Sequence, residues 1–220
     1  MPAALAVSDL PVQAIKKLLR EKWPDACGSE VSPPDDFLRT GIDRFDLLFG
    51  PRGLPQAQLL EITGTVASGR TRLLFCLLAA LTRRGSVVYY DPARALFPPA
   101  LHAAGVDLAR IWLIRPSSSA AALRQIEQLG KSRTVCAAVF DLSSGRDPLA
   151  ATLLHRLRQQ AVRTGITVIF LTSERAGLIP PSMISLSLRV QRLTASRVTV
   201  TVLKSRISCA GVRTELDFDA

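Results

Sequence analysis

From residue 37 onward the chain alternates short, wholly apolar runs with longer stretches of helical period. Strands are expected at 59–63, 87–90, 111–114, 135–141, 166–172, 185–190 and 198–203, each rich in β-branched, aromatic or leucine side chains. Helices are expected between them at 71–84, 120–129 and 148–163. Apolar strands alternating with helices predict an α/β domain with a mostly parallel, twisted sheet. The last two strands are separated only by a turn, which predicts an antiparallel hairpin at the edge of that sheet.

The first 36 residues differ in pattern. Residues 10–23 place Ile15, Leu18, Leu19 and Trp23 on one helical face, with Lys16, Lys17, Arg20 and Lys22 mostly opposite. This predicts an amphipathic helix of about three to four turns. Residues 24–36 are rich in Pro, Gly, Ser and Asp and carry no periodicity, so they read as a linker. The expected organisation is therefore a helix and linker over 1–36 and a core domain over 37–220. The helix docks either on its own domain or on a partner; Trp23, an aromatic anchor closing its apolar face, is assigned to partner contact.

Composition narrows the class. The 220 residues are 48% hydrophobic and 21% charged, which suits one ordinary domain with a core. The longest apolar stretch, 73–81, is about half of the roughly 20 residues a membrane-spanning helix needs, so a membrane role is not expected. Cys27, Cys76, Cys136 and Cys209 are far apart and form no metal-binding spacing, which fits reduced thiols in the cytoplasm and no metal site. His102 and His155 are isolated, and Trp112, in an apolar strand, is expected in the core.

The net charge of +10 is uneven: residues 148–214 hold 10 basic groups and a single acid, Glu174. Such a stretch suits a polyanion, DNA above all, by counterion release. The alternative is compositional, since 23 of the 28 basic residues are Arg.

The chemistry concentrates after the first strong strand. Gly64, four residues, Gly69, then Arg70 and Thr71 at the head of a long apolar helix reproduce the spacing of a phosphate-binding P-loop, with Arg where Lys is required. Glycines let backbone N–H groups curl around phosphate, Ser68 lies within the loop, the helix N-terminus adds partial positive charge, and the Thr71 hydroxyl is placed for Mg²⁺. Arg keeps the charge but presents a planar fork instead of a point charge. The strand 135–141 ends in Asp141, as a strand that sets a carboxylate beside Mg²⁺ does.

From Arg39 to Phe218 the sequence resembles the RecA family of recombinases. The lead-in to the loop (RTGIDRFDLLFGPRGLPQAQLLEITG), the next strand, loop and helix (VVYYDPARALFPPALHAAGVDLARIWLIRP) and the closing hairpin (SRVTVTVLKSRISCAGVRTELDF) carry the likeness. The stretch AAALRQIEQLGKSRTVCAAVFDL and the short chain are similar to the ImuA branch of RecA-like proteins, from bacterial damage-induced mutagenesis cassettes, and to SulA-like proteins.

The resemblance implies a RecA-like P-loop core and nucleotide positions at Gly64, Ser68, Gly69, Arg70, Thr71 and Asp141. It also implies a subunit-type interface made by the N-terminal helix (Ile15, Leu18, Leu19, Trp23) and by Lys204 and Arg206, which match two cations that reach a neighbouring subunit's nucleotide in RecA. The departures are as informative. The Glu that activates water in RecA falls on Ala93, followed by Arg94, the polar sensor falls on Ser173, and both DNA loops are short, at 143–147 and 174–182.

The expected function is thus a non-catalytic accessory protein of the SOS DNA-damage response, with no catalytic residue and no certain cofactor, or ATP and Mg²⁺ held without hydrolysis. Its expected partners are RecA and a Y-family polymerase-like protein of the ImuB type in translesion synthesis, with weak non-specific DNA binding. The alternatives are a weak DNA-dependent ATPase of recombinational repair and a SulA-like inhibitor of cell division.

Overall fold

The computed structural model describes residues 37–115, 121, 125, 135–143, 149–174 and 177–218. The elements in chain order are β1 (Phe37–Leu38), α1 (Asp43–Asp46), β2 (Leu54–Pro55), β3 (Leu59–Gly64), α2 (Arg70–Arg84), β4 (Ser86–Tyr90), α3 (Pro98–Ala103) and β5 (Ile111–Ile114). They continue with β6 (Val135–Asp141), α4 (Ala151–Thr164), β7 (Thr167–Ser173), β8 (Leu186–Arg192), β9 (Arg197–Lys204) and β10 (Arg213–Asp217). Of the helix expected at 120–129 only Ala121 and Gln125 are described, both helical, and the expected N-terminal helix with Ile15, Leu18, Leu19 and Trp23 lies outside the described residues.

The main sheet runs β10-β9-β8-β3-β7-β6-β4-β5. From β8 to β5 all neighbours are parallel, whereas β8–β9 and β9–β10 are antiparallel. Strand alternation divides the core into two layers. Leu60, Ile62, Val87 and Tyr89 join the cluster that holds Leu73, Leu74, Leu77 and Leu78 of α2. Leu59, Val88 and Tyr90 join the cluster that holds Leu154 and Leu157 of α4. Burial on both faces is why these strands read as continuous apolar runs. No helix among the described residues is long and apolar enough to cross a membrane.

Three readings change. The hairpin β8–β9 forms as expected, but a third strand, β10, lies outside it and makes the edge. Trp112 is not core: it is 43% exposed because β5 is the last strand of the sheet and pairs with β4 alone among described strands. The helix expected from 148 starts at Ala151 instead, since Leu149 is tied to a loop, its N–H donating to Leu178 O at 3.1 Å.

Candidate functional site

The loop between β3 and α2 is shaped by small residues. Gly69 has φ +92°, and a Cβ there would stand 2.6 Å from Val198 Cγ1 of β9. Gly64 has no such φ but is equally confined, since a Cβ would meet Ser68 Oγ at 2.5 Å and Val190 O at 2.6 Å. Ser68 is buried, and its Oγ accepts the Arg70 backbone N–H at 3.4 Å. The loop is closed further by Ser68 N–H donating to Thr65 O at 3.2 Å, and Leu73 N–H returns to Gly69 O at 3.0 Å as α2 begins. Thr71 lies exposed in the first turn of α2.

Arg70 does not project into solvent. Only 8% of it is exposed, and its Nη1 donates both to Gly64 O and, at 3.2 Å, to Thr65 O. Burial pushes the guanidinium below its usual range, opposed by the charge of Asp141. Arginine nevertheless remains protonated in proteins, so a buried cation sits within the loop.

Asp141, at the end of β6, is held by two donors. The Tyr89 hydroxyl donates to Oδ2 at 3.1 Å and the Ser143 backbone N–H to Oδ1 at 3.0 Å. Burial first, then the negative charge of Asp141, holds the Tyr89 phenol protonated far above its usual range. Tyr89 was not anticipated from the sequence. Its signal was a tyrosine inside a buried strand, because a buried hydroxyl requires a partner.

In the loop after β4, Ala93, the residue that the resemblance sets at the general-base position, is exposed, next to Arg94 with φ 55°. The nearby acid Asp91 is wholly buried. It accepts the N–H groups of Ala95 at 2.9 Å and Leu96 at 3.3 Å, and pairs with Arg115 at 3.4 Å. It is the organiser of its own loop.

Ser173, the last residue of β7, lies in register with Gly64 and so borders the P-loop. Beneath it, Glu61 ties neighbouring strands together: Thr172 Oγ1 donates to Oε1 at 3.0 Å and Ser187 Oγ to Oε2 at 2.8 Å. The expected nucleotide positions Gly64, Ser68, Gly69, Arg70, Thr71 and Asp141 therefore gather at one end of the sheet.

Lys204 and Arg206 do not join them. β9 runs antiparallel to β8, with Val198 opposite Arg192 and Lys204 opposite Ser187. Val198 touches the P-loop, so Lys204, six residues on, lies about 20 Å away along the strand. Its Nζ donates to Pro181 O at 2.6 Å. The exposed Arg206 has its pKa lowered by partial burial and then by the like charge of Arg158 on α4.

The single residues set aside in the sequence behave plainly. His102 is exposed, and His155, also exposed, meets Gln159 at 3.1 Å. Cys76 and Cys136 are half-buried, and burial pushes both thiols up, while Cys209 is exposed. A hollow of about 490 Å³ between α1 and β10 is lined by Ile42, Asp43, Arg44, Arg197 and the 215–217 strand segment, and by none of the expected site residues.

Residues 26–152 match the RecA N-terminal domain family. A Protein RecA of Rubrobacter xylanophilus is 30% identical over 167 residues, which cover 67% of this chain and 48% of that protein. Protein RecA of Thermosynechococcus vestitus is 31% identical over 167 residues, 67% of this chain and 47% of its own. The chain thus spans about half the length of these curated relatives.

Proposed function

Because the chain belongs to the RecA family, we propose that it is a non-catalytic RecA-like accessory protein of the SOS DNA-damage response. It acts in the cytoplasm, binds RecA, caps or modulates its filament, and contacts a Y-family polymerase-like partner in translesion synthesis. What supports the reading is the loop after β4: the resemblance aligns Ala93 with the water-activating acid, and the nearby acid Asp91 is buried and engaged by the loop's own donors.

Loss of a general base typically costs about 10²- to 10⁴-fold. From a typical turnover of about 10 s⁻¹ this leaves roughly 0.1 to 0.001 s⁻¹, so hydrolysis is negligible or very slow. The rest of the molecule suits assembly. The P-loop and the Lys204/Arg206 turn stand at opposite ends of β9. A head-to-tail contact uses two different surfaces, and a subunit with one competent and one defective surface ends a filament instead of extending it.

The test is affinity capture with RecA, with and without single-stranded DNA and nucleotide, repeated after deletion of residues 1–24 and with Lys204→Ala/Arg206→Ala. Capture by the full chain that weakens in either variant is expected. No capture under any condition overturns the partner assignment. ATP turnover that single-stranded DNA stimulates and Thr71→Ala abolishes overturns the non-catalytic one.

A further inference from the structure

Beside its backbone N–H groups, a P-loop recognises a nucleotide through two charges: a cation at the head of the helix for the terminal phosphates, and a carboxylate on a neighbouring strand for the metal. In this chain both groups are present and both are engaged inside the protein. The Arg70 guanidinium is buried against the carbonyls of Gly64 and Thr65. Asp141 receives Tyr89 on one oxygen and the Ser143 N–H on the other. The two sites are electrostatically joined, since Asp141 is the charge that opposes the desolvation of Arg70.

We infer that Arg70 is an internal occupant of the phosphate cradle, so that the residues present do not fit Mg·ATP and the chain keeps its P-loop folded without nucleotide. The chemistry of the side chain makes the difference. A lysine ammonium has three donors on a flexible stem and can leave a carbonyl for a phosphate with little rearrangement. The guanidinium is a rigid planar fork, here bonded to two successive carbonyls of the loop. Phosphate can enter only after this buried cation has moved out, and the apparent affinity falls by the fraction of molecules in which it has.

A second feature points the same way. Gly69 packs on Val198, and the end of β10 is fastened to the start of α2, where Arg72 stacks at 4.9 Å on the Phe218 ring and donates to Phe218 O at 2.8 Å. These neighbours hold the loop in shape where α2 begins.

The inference rests on the non-catalytic reading of the chain, but it is read out by equilibrium binding and not by capture with RecA, so either can fail alone. The experiment titrates full-length protein with a fluorescent ATP analogue and Mg²⁺, and measures the melting temperature with and without 1 mM Mg·ATP, a concentration of the order at which weak ligands bind. Wild type is expected to show a Kd weaker than about 1 mM and no thermal shift. Arg70→Lys is expected to bind at least about tenfold more tightly and to gain a thermal shift. Arg70→Gln, whose shorter neutral side chain leaves the cradle open, is the second variant if Arg70→Lys does not fold, and it too should bind more tightly than wild type. Micromolar binding by wild type overturns the inference. A folded variant of either kind that binds no more tightly than wild type overturns it too.

Discussion

At Gly69 two constraints coincide, a left-handed φ of +92° and a wall formed by Val198 Cγ1 at 2.6 Å from where a Cβ would lie. Gly69→Ala is therefore expected to destabilise by about 2–4 kcal/mol, the sum of a left-handed penalty and an overpacking penalty. Adding Val198→Ala should relieve only the overpacking part, and urea denaturation of the four proteins in the cycle measures it. Equal losses with and without Val198 would show that the wall is irrelevant.

Tyr89 gives a second prediction at this scale. Its phenol is raised in the folded protein, so above about pH 10 the unfolded chain releases a proton that the folded chain keeps. Stability then falls as pH rises through that range, on top of a fall that begins near pH 8.5 from the raised thiols of Cys76 and Cys136. Tyr89→Phe should flatten the decline in melting temperature between about pH 10 and 11 while leaving the earlier part intact. The replacement of Lys by Arg70 was legible in the sequence; the direction its side chain takes was not. A four-bond side chain chooses between solvent and loop on local contacts that residue type does not encode.

At the scale of elements, strands buried on both faces announced themselves, because two cores require unbroken apolar runs such as those of β6 and β7. β10 did not. Its sequence, RTELD, buries only Leu216 and presents charge elsewhere, as an edge strand does, so it lacks a hydrophobic period. β1 and β2 are two residues each and too short to show any. What joins them to the rest is a turn organised by one acid. Asp46 is 2% exposed and accepts Thr40 N–H at 3.1 and 3.0 Å, the Thr40 hydroxyl at 2.9 Å and Gly41 N–H at 3.3 Å. Asp46→Ala should cost about 2–4 kcal/mol, because it removes charge-assisted bonds and leaves buried donors unmatched. Asp46→Asn, which keeps one acceptor, should cost clearly less. Chemical denaturation of both variants decides it, and equal losses would mean that the carboxylate's packing rather than its acceptors matters.

Across the whole molecule the charge excess proves less available than its sum suggests. Of the 10 basic residues in 148–214, Arg189 pairs with Glu174 at 2.8 Å, Arg197 with Asp217 at 3.1 Å, and Lys204 is anchored on Pro181 O. Arg206 differs, since the like charge of Arg158 adds to the effect of burial in lowering its pKa. Neighbouring cations repel, and phosphodiesters beside them relieve the repulsion while releasing their counterions. Any hold on DNA should therefore be short, indifferent to sequence and steep in salt. With each of the two cations neutralising about one phosphate on a single strand, the affinity should fall roughly sevenfold between about 50 and 200 mM salt, with a log–log slope near −1.4. Arg158→Ala/Arg206→Ala should reduce that slope by about 1.4 and weaken binding equally for oligonucleotides of different sequence. Fluorescence anisotropy across the salt series reads all three quantities. A slope unchanged in the double variant would place the contact elsewhere, and a strong sequence preference would mean that base edges are read, which two guanidinium groups on phosphates do not do.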